Sequence, residues 1–162
     1  MSEYKAPVKD ILFTMKQVAG LSRLAQLPGF EEATDDLVDV IIDEAGKFSA
    51  GVIAPLNRVG DAQGSAVVDG QVTLPEGFAS AYQQMREAGW ISLPGNPEYG
   101  GQGLPNLVAS GVNETIMSAN LGFSLVSMLS QGAISAISNH GNQQLKDSYL
   151  PKLISGEWTG TM

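Results

Sequence analysis

The chain has 162 residues, enough for one domain with a core of its own. Hydrophobic residues make up 43% and charged residues 16%, a globular balance that excludes a disordered chain. The net charge of −8 argues against a nucleic-acid or anionic-lipid surface, and the absence of cysteine excludes disulfides, thiolate metal sites and a cysteine nucleophile.

In chain order, Val8, Ile11, Leu12, Met15 and Val18 recur near helical spacing, so the stretch beginning at Lys5 reads as a helix that Gly20 ends. Pro28-Gly29 marks a turn. Lys5, Lys9 and Asp10 flank only the short apolar run Ile11 to Met15, so no signal peptide is read, and a cytoplasmic location is expected. Thr34 is suited to cap a second helix, with Asp35 and Asp36 in the first turn complementing its dipole. Leu37, Val40, Ile41, Ala45, Phe48 and Val52 form the stripe expected to face the core, with Asp39, Asp43 and Lys47 on the opposite side.

Ala66 to Thr73 reads as a small hairpin, because Asp69-Gly70 suits the positive φ angles of a type I′ turn. Pro75 is expected to open a helix carrying Phe78, Tyr82 and Met85 and closing at Gly89. Trp90 to Leu104 has no period and is rich in proline and glycine, a loop with specific backbone demands. Helix resumes at Leu107. Between Glu114 and Lys146 no charged residue occurs, a run long enough to cross a bilayer. Asn120, Gln131, Asn139, His140 and the interspersed serines argue instead for two buried helices with small faces, broken near Gly122 and Gly132. Asn142 caps a last helix with Leu145, Tyr149, Leu150 and Leu153, ended by Gly156. Trp158 to Met162 reads as a strand-like stretch without a partner, which suggests a piece of a longer protein.

Catalytic raw material is thin. The single histidine, His140, sits at a helix junction, where a structural donor is the ordinary role. No Gly-x-Ser-x-Gly elbow supports a hydrolase. Gly100-Gly101-Gln102-Gly103 lacks the preceding strand and the Lys-Ser/Thr ending of a phosphate loop. Asp39 and Asp43 lie one helical turn apart but have no third ligand, so they read as a solvated face, and no metal site is expected. Met117, Phe123, Met128 and Leu129 are either core or one wall of an apolar pocket; the mixture of flexible and small residues from Met128 to Ser135 leaves room for a chain-like ligand.

Three segments together resemble the acyl-CoA dehydrogenase family. They are Ala88-Gly89-Trp90 through Leu93-Pro94 with Pro97-Glu98-Tyr99-Gly100-Gly101-Gln102-Gly103-Leu104; Gly141-Asn142-Gln143-Gln144 with Tyr149-Leu150-Pro151-Lys152-Leu153; and Ser155-Gly156-Glu157-Trp158 leading into Gly160-Thr161-Met162. In this order they cover roughly the last half of the chain. The long start, Tyr4-Lys5-Ala6-Pro7 followed by an apolar helix, resembles the extended branch of that family, which includes 3-methylmercaptopropionyl-CoA dehydrogenases.

The resemblance implies an all-α fold, an irregular orthogonal helical array with one small β-hairpin. It implies an extension helix over 1–30, the family's N-terminal helical domain over 31–157, and the start of a β-domain over 158–162. The complete enzyme would carry FAD, act on an acyl-CoA thioester, pass electrons to an electron-transferring flavoprotein and assemble as a homo-oligomer. Its catalytic glutamate would lie in a later domain, so no catalytic residue is assigned here and the piece alone is expected to be inactive. Met162 falls where the family approaches the flavin, and Leu125, Met128 and Gln131 fall on the wall of the acyl cavity. A stand-alone helical ligand-binding or dimerisation module is the alternative.

Overall fold

The computed structural model describes residues 3–161. It is all-α apart from one hairpin. The helices are α1 (Val8–Phe13), α2 (Leu21–Leu24), α3 (Asp35–Phe48), α4 (Leu56–Gln63), α5 (Phe78–Glu87), α6 (Asn106–Ala119), α7 (Leu121–His140) and α8 (Gln143–Ile154). Single π-helical turns, Thr14–Val18 and Ser49–Ile53, prolong α1 and α3, and a 3-10 turn, Pro97–Tyr99, lies in the long loop. The strands β1 (Ala66–Val68) and β2 (Gln71–Thr73) pair antiparallel, with Val67 opposite Val72. Asp69 (φ 51°) and Gly70 (φ 77°) both take positive φ, as a type I′ turn requires.

The main core forms where α3 packs on α6. Val38, Ile42 and Ala45 of α3 meet Val108, Val112 and Ile116 of α6, joined by Leu21, Ile53 and Met85. A smaller cluster, Ile134, Leu150, Leu153 and Ile154, holds α7 to α8, with Tyr99 packed against it. Both caps expected at Thr34 and Asn142 form: Thr34 accepts from the Leu37 amide at 3.3 Å and Asn142 from the Leu145 amide at 3.0 Å. Gly20 ends the first helical stretch in a left-handed conformation, and Gly89 and Gly156 follow α5 and α8 with positive φ.

Five expectations about the fold require correction. The buried face of α3 is Val38, Ile42, Ala45 and Gly46, continued by Ser49 and Ile53, whereas Leu37 and Val40 are exposed. The expected stripe follows hydrophobicity alone; the observed face includes a glycine and a serine. Gly46 belongs there because the N-terminal segment crosses it: an added Cβ would lie 2.8 Å from Val8 Cγ2. Ile41, Phe48 and Val52 keep partial burial on the flank.

The second correction concerns α5, which starts at Phe78 after Gly77 (φ 84°), not at Pro75. Pro75 is buried in the preceding turn, where its carbonyl accepts from the Phe78 amide at 3.2 Å. Third, neither Gly122 nor Gly132 breaks a helix; the break is at Asn120, whose extended backbone separates α6 from α7 and whose side chain caps α7 through the Phe123 amide at 3.0 Å. Fourth, Trp158 to Thr161 forms no strand. The Trp158 amide folds back to the Lys152 carbonyl at 3.0 Å, and the Lys152 ammonium stands 4.5 Å from the Trp158 ring centroid.

Helix α7 also differs from the buried element expected. It has the length and hydropathy to cross a membrane, yet only 22% of that apolar window is buried. It packs on α4, α6 and α8 through Phe123, Ser124, Ser130 and Ile134.

Candidate functional site

The loop from Trp90 to Leu104 is built by backbone crossing. Gln102, Gly103 and Leu104 donate their amides to the carbonyls of Ser92, Gly95 and Leu93 at 3.0, 2.9 and 2.9 Å, folding the loop onto itself. An added Cβ at Gly101 would fall 2.0 Å from the carbonyl carbon and oxygen of Gly95, so the two chain passes touch and only glycine fits. The Gln102 side chain donates to the Gly89 carbonyl at 2.8 Å and ties the loop to the end of α5. Tyr99 anchors the far end, as its position suggests: it packs on the α7–α8 cluster, and its hydroxyl accepts from Gln143 Nε2 at 3.0 Å.

Two chambers lie where this loop meets α6 and α7. The smaller one, about 180 Å3, is lined by Met85, Trp90, Ile91, Asn113, Ile116 and Ser127 with others. The larger one, about 690 Å3, is lined by Phe30, Gly95, Leu104, Ile134, Ser135 and Ser138 with others. Pro94, Asn106 and Gln131 line both, and neither chamber has an ionisable residue in its wall. Among the described residues, the buried Trp90 indole N–H has no hydrogen-bond partner. Gln131 is held in place: its Nε2 donates to the Ile91 carbonyl at 2.8 Å, so the side chain bridges α7 to the loop.

The site residues expected from the sequence therefore separate. Gln131 sits at the junction of the two chambers. Leu125 (45% exposed) and Met128 (51% exposed) line neither chamber and instead form, with Leu121, an outward apolar stripe along α7. Met162 lies outside the described residues. Ile91 and Pro94 of the irregular loop, Asn106 at the start of α6 and Ser127 of α7 complete the chambers, and periodicity gives no signal for the two loop residues.

Two carboxylates of α3 have local partners. Asp39 pairs with Lys16 at 2.6 Å and Asp43 with Lys47 at 2.7 Å. The Asp39 hydrogen bond raises the Lys16 ammonium above its ordinary value, against the opposing effect of burial. His140 is exposed in the last turn of α7. Tyr82 donates its hydroxyl to the Gly156 carbonyl at 2.9 Å, clamping the turn after α8 to α5, and burial pushes its phenol upward with Arg86 opposing. Among the described residues, no group of three His, Cys, Asp or Glu is placed to hold a metal.

Compared with known proteins, residues 39–157 match the model of the acyl-CoA dehydrogenase N-terminal domain. The chain belongs to the acyl-CoA dehydrogenase family. The acyl-CoA dehydrogenase match begins inside α3 and ends in the turn after α8, so it contains the loop, α7 and every residue lining the smaller chamber, while Phe30 of the larger one lies before it. The chain is 40% identical to 3-methylmercaptopropionyl-CoA dehydrogenase of Ruegeria pomeroyi over 98% of its own length. It is 29% identical to a butyryl-CoA dehydrogenase of Syntrophomonas wolfei, again over 98% of the chain. Over 74% of the chain it is 28% identical to a broad-specificity linear acyl-CoA dehydrogenase of Mycobacterium tuberculosis. The chain spans 27% of the length of the first two relatives and 20% of the third. The helical fold and the family resemblance read from the sequence are thus both borne out.

Proposed function

We propose that this chain is the N-terminal helical part of an FAD-dependent acyl-CoA dehydrogenase that introduces an α,β double bond into an acyl-CoA thioester. The observation that carries the reading is the 40% identity over 98% of the chain to a relative named 3-methylmercaptopropionyl-CoA dehydrogenase. In this reading residues 1–30 are an extension, 31–157 the helical domain, and 158–162 the start of a following β-domain. Gln131, Leu125 and Met128 contribute to the wall facing the acyl group. The uncharged chamber walls and the apolar stripe suit the neutral hydrocarbon part of a thioester, not its charged CoA end.

FAD is proposed for the whole enzyme only. The described residues do not fit a dinucleotide by themselves, because the two passes of the loop meet where Gly101 is pressed against Gly95, which leaves no cradle for a phosphate between them. No step is therefore assigned to the cofactor through these residues. An electron-transferring flavoprotein as acceptor, a homo-oligomer and a cytoplasmic location complete the proposal.

The test is anaerobic addition of acyl-CoA thioesters to the full-length flavoprotein containing this chain, with 3-methylmercaptopropionyl-CoA and butyryl-CoA first in the panel. Bleaching of the visible flavin absorbance with formation of the enoyl thioester is the expected result. An absence of bleaching across short, long and heteroatom-containing acyl groups would overturn the reading.

A further inference from the structure

The hairpin contributes to neither core. All six of its strand residues are exposed, and among the described residues no third strand joins them. Its two faces differ. Strand alternation puts Val67 and Val72 on one side, opposite each other in register, and they are 70% and 69% exposed. Leu74, two residues on from Val72, is exposed as well. The other side mixes Ala66 and Val68 with Gln71 and Thr73, and the Thr73 hydroxyl donates to the Ala66 carbonyl at 3.2 Å. One apolar and one mixed face is the pattern of a sheet packed on one side only. A lone two-stranded hairpin with that apolar face in water is marginal at best.

Size decides between two covers for this face. Two free copies that hold together bury roughly 800 Å2 each, from about 20–30 residues a side. Three side chains on so short a hairpin fall well below that. A segment of the same polypeptide needs far less area, because its tether removes most of the cost of bringing two molecules together. The chain spans 27% of the length of the two relatives that match 98% of it, so a full-length protein of that size carries ample further polypeptide. Charge narrows the partner. From Val59 to Met85 the sequence holds Asp61, Asp69 and Glu76 but no lysine or arginine. An apolar surface bordered by basic groups is the complement.

We propose that the Val67–Val72 face of the hairpin docks on a segment of the same polypeptide beyond residue 162, apolar at the contact and basic at its border. The hairpin is then a clasp between this helical domain and the remainder of its own chain. The inference rests on the reading of this chain as the N-terminal part of a longer enzyme. It goes beyond that reading by naming one surface that holds the rest of the protein. The turn at Asp69-Gly70 lies past the docking face and takes no part in it, with nothing within 4 Å of a Cβ at Gly70.

The test places the photo-crosslinker p-benzoylphenylalanine at position 72 of the full-length, flavin-loaded protein. The expected product joins position 72 to a residue beyond 162 within one chain, at unchanged monomer mass on a denaturing gel. The same probe at position 71, on the mixed face, should give little of it. A product of dimer mass, or no crosslink from position 72, would overturn the clasp. If the bulky probe blocks folding, Val72→Cys is close to valine in size. Its alkylation, followed on the peptide that contains it, should run about tenfold or more slower than that of Gln71→Cys, because a covered thiol is out of reach. Equal rates would also overturn the clasp. Flavin bleaching by acyl-CoA in the same protein separates the two readings. A protein that bleaches but shows neither crosslink nor protection loses the clasp alone, and one that shows the crosslink without bleaching loses the dehydrogenase reading alone.

Discussion

Ser49 and Thr115 share a buried hydrogen bond of 2.9 Å between the π-turn that prolongs α3 and the middle of α6, and both side chains are fully shielded from solvent. Thr115 Oγ1 also lies 2.8 Å from the Val112 carbonyl, which needs the threonine proton. The serine therefore donates to the threonine, and the threonine to the helix backbone.

This direction predicts an asymmetric result. Thr115→Val leaves the Ser49 hydroxyl buried without its acceptor and should cost about 1–3 kcal/mol, whereas Ser49→Ala leaves Thr115 still paired with Val112 and should cost about 1 kcal/mol or less. The double variant should be more stable than the sum of the two losses implies. Urea denaturation of the three variants measures this.

The N-terminal segment is held by Tyr4, whose hydroxyl donates to the Thr115 carbonyl at 2.9 Å and lies 2.6 Å from Ser118 Oγ. Tyr4→Phe should lower stability by about 0.5–1.5 kcal/mol and raise amide exchange selectively over residues before α1. Gly46→Ala should act on the same segment from the other side, since its Cβ would meet Val8 and Ala6.

The Lys16–Asp39 pair gives a pH prediction. Lys16 is raised in the folded state, chiefly by its hydrogen bond to Asp39. Its contribution is therefore fully present below the unfolded lysine value of about 10.4, and it is lost as pH rises through the higher folded value. Lys16→Met should be less stable than wild type near neutrality, by no more than about 1 kcal/mol for a partly exposed pair. The gap should close in strongly alkaline solution, as read from denaturation midpoints across pH.

At the loop, Gly101→Ala and Gly100→Ala should differ in severity. The first drives a methyl into the Gly95 carbonyl, with 2.0 Å between them, and should cost on the order of 3 kcal/mol and release the loop. The second has open space and only a positive φ of 87° to resist it, a cost of about 1–2 kcal/mol. Differential scanning calorimetry distinguishes them, and Tyr99 exposure reports whether the loop has detached.

Much of this fold is legible in the sequence where one residue acts locally. Thr34 and Asn142 cap helices, Asp69-Gly70 turns a hairpin, and Gly20, Gly89 and Gly156 end helical stretches. Asn120 is the instructive miss: its capping side chain, not the neighbouring Gly122, divides the uncharged run. The α3 face is misread because hydrophobicity assigns no weight to Gly46 or Ser49, although close approach and a buried hydroxyl pair put both inside. The candidate site is less legible still. Gln131 is visible as a polar residue in an apolar helix, but its partner Ile91 and the wall from Pro94 come from tertiary folding of an aperiodic loop, which meets Asn106 at the start of α6.

The crossing of Gly95 and Gly101 has one more consequence. A loop whose two passes touch backbone to backbone has a fixed contour length, so one inserted or deleted residue between them would undo the hydrogen bonds of Gln102, Gly103 and Leu104 together. The tip of the hairpin is the opposite case, since nothing lies within 4 Å of a Cβ at Gly70. Extra length, a tag or a spectroscopic probe belongs at that tip, while the loop beside the chambers tolerates none.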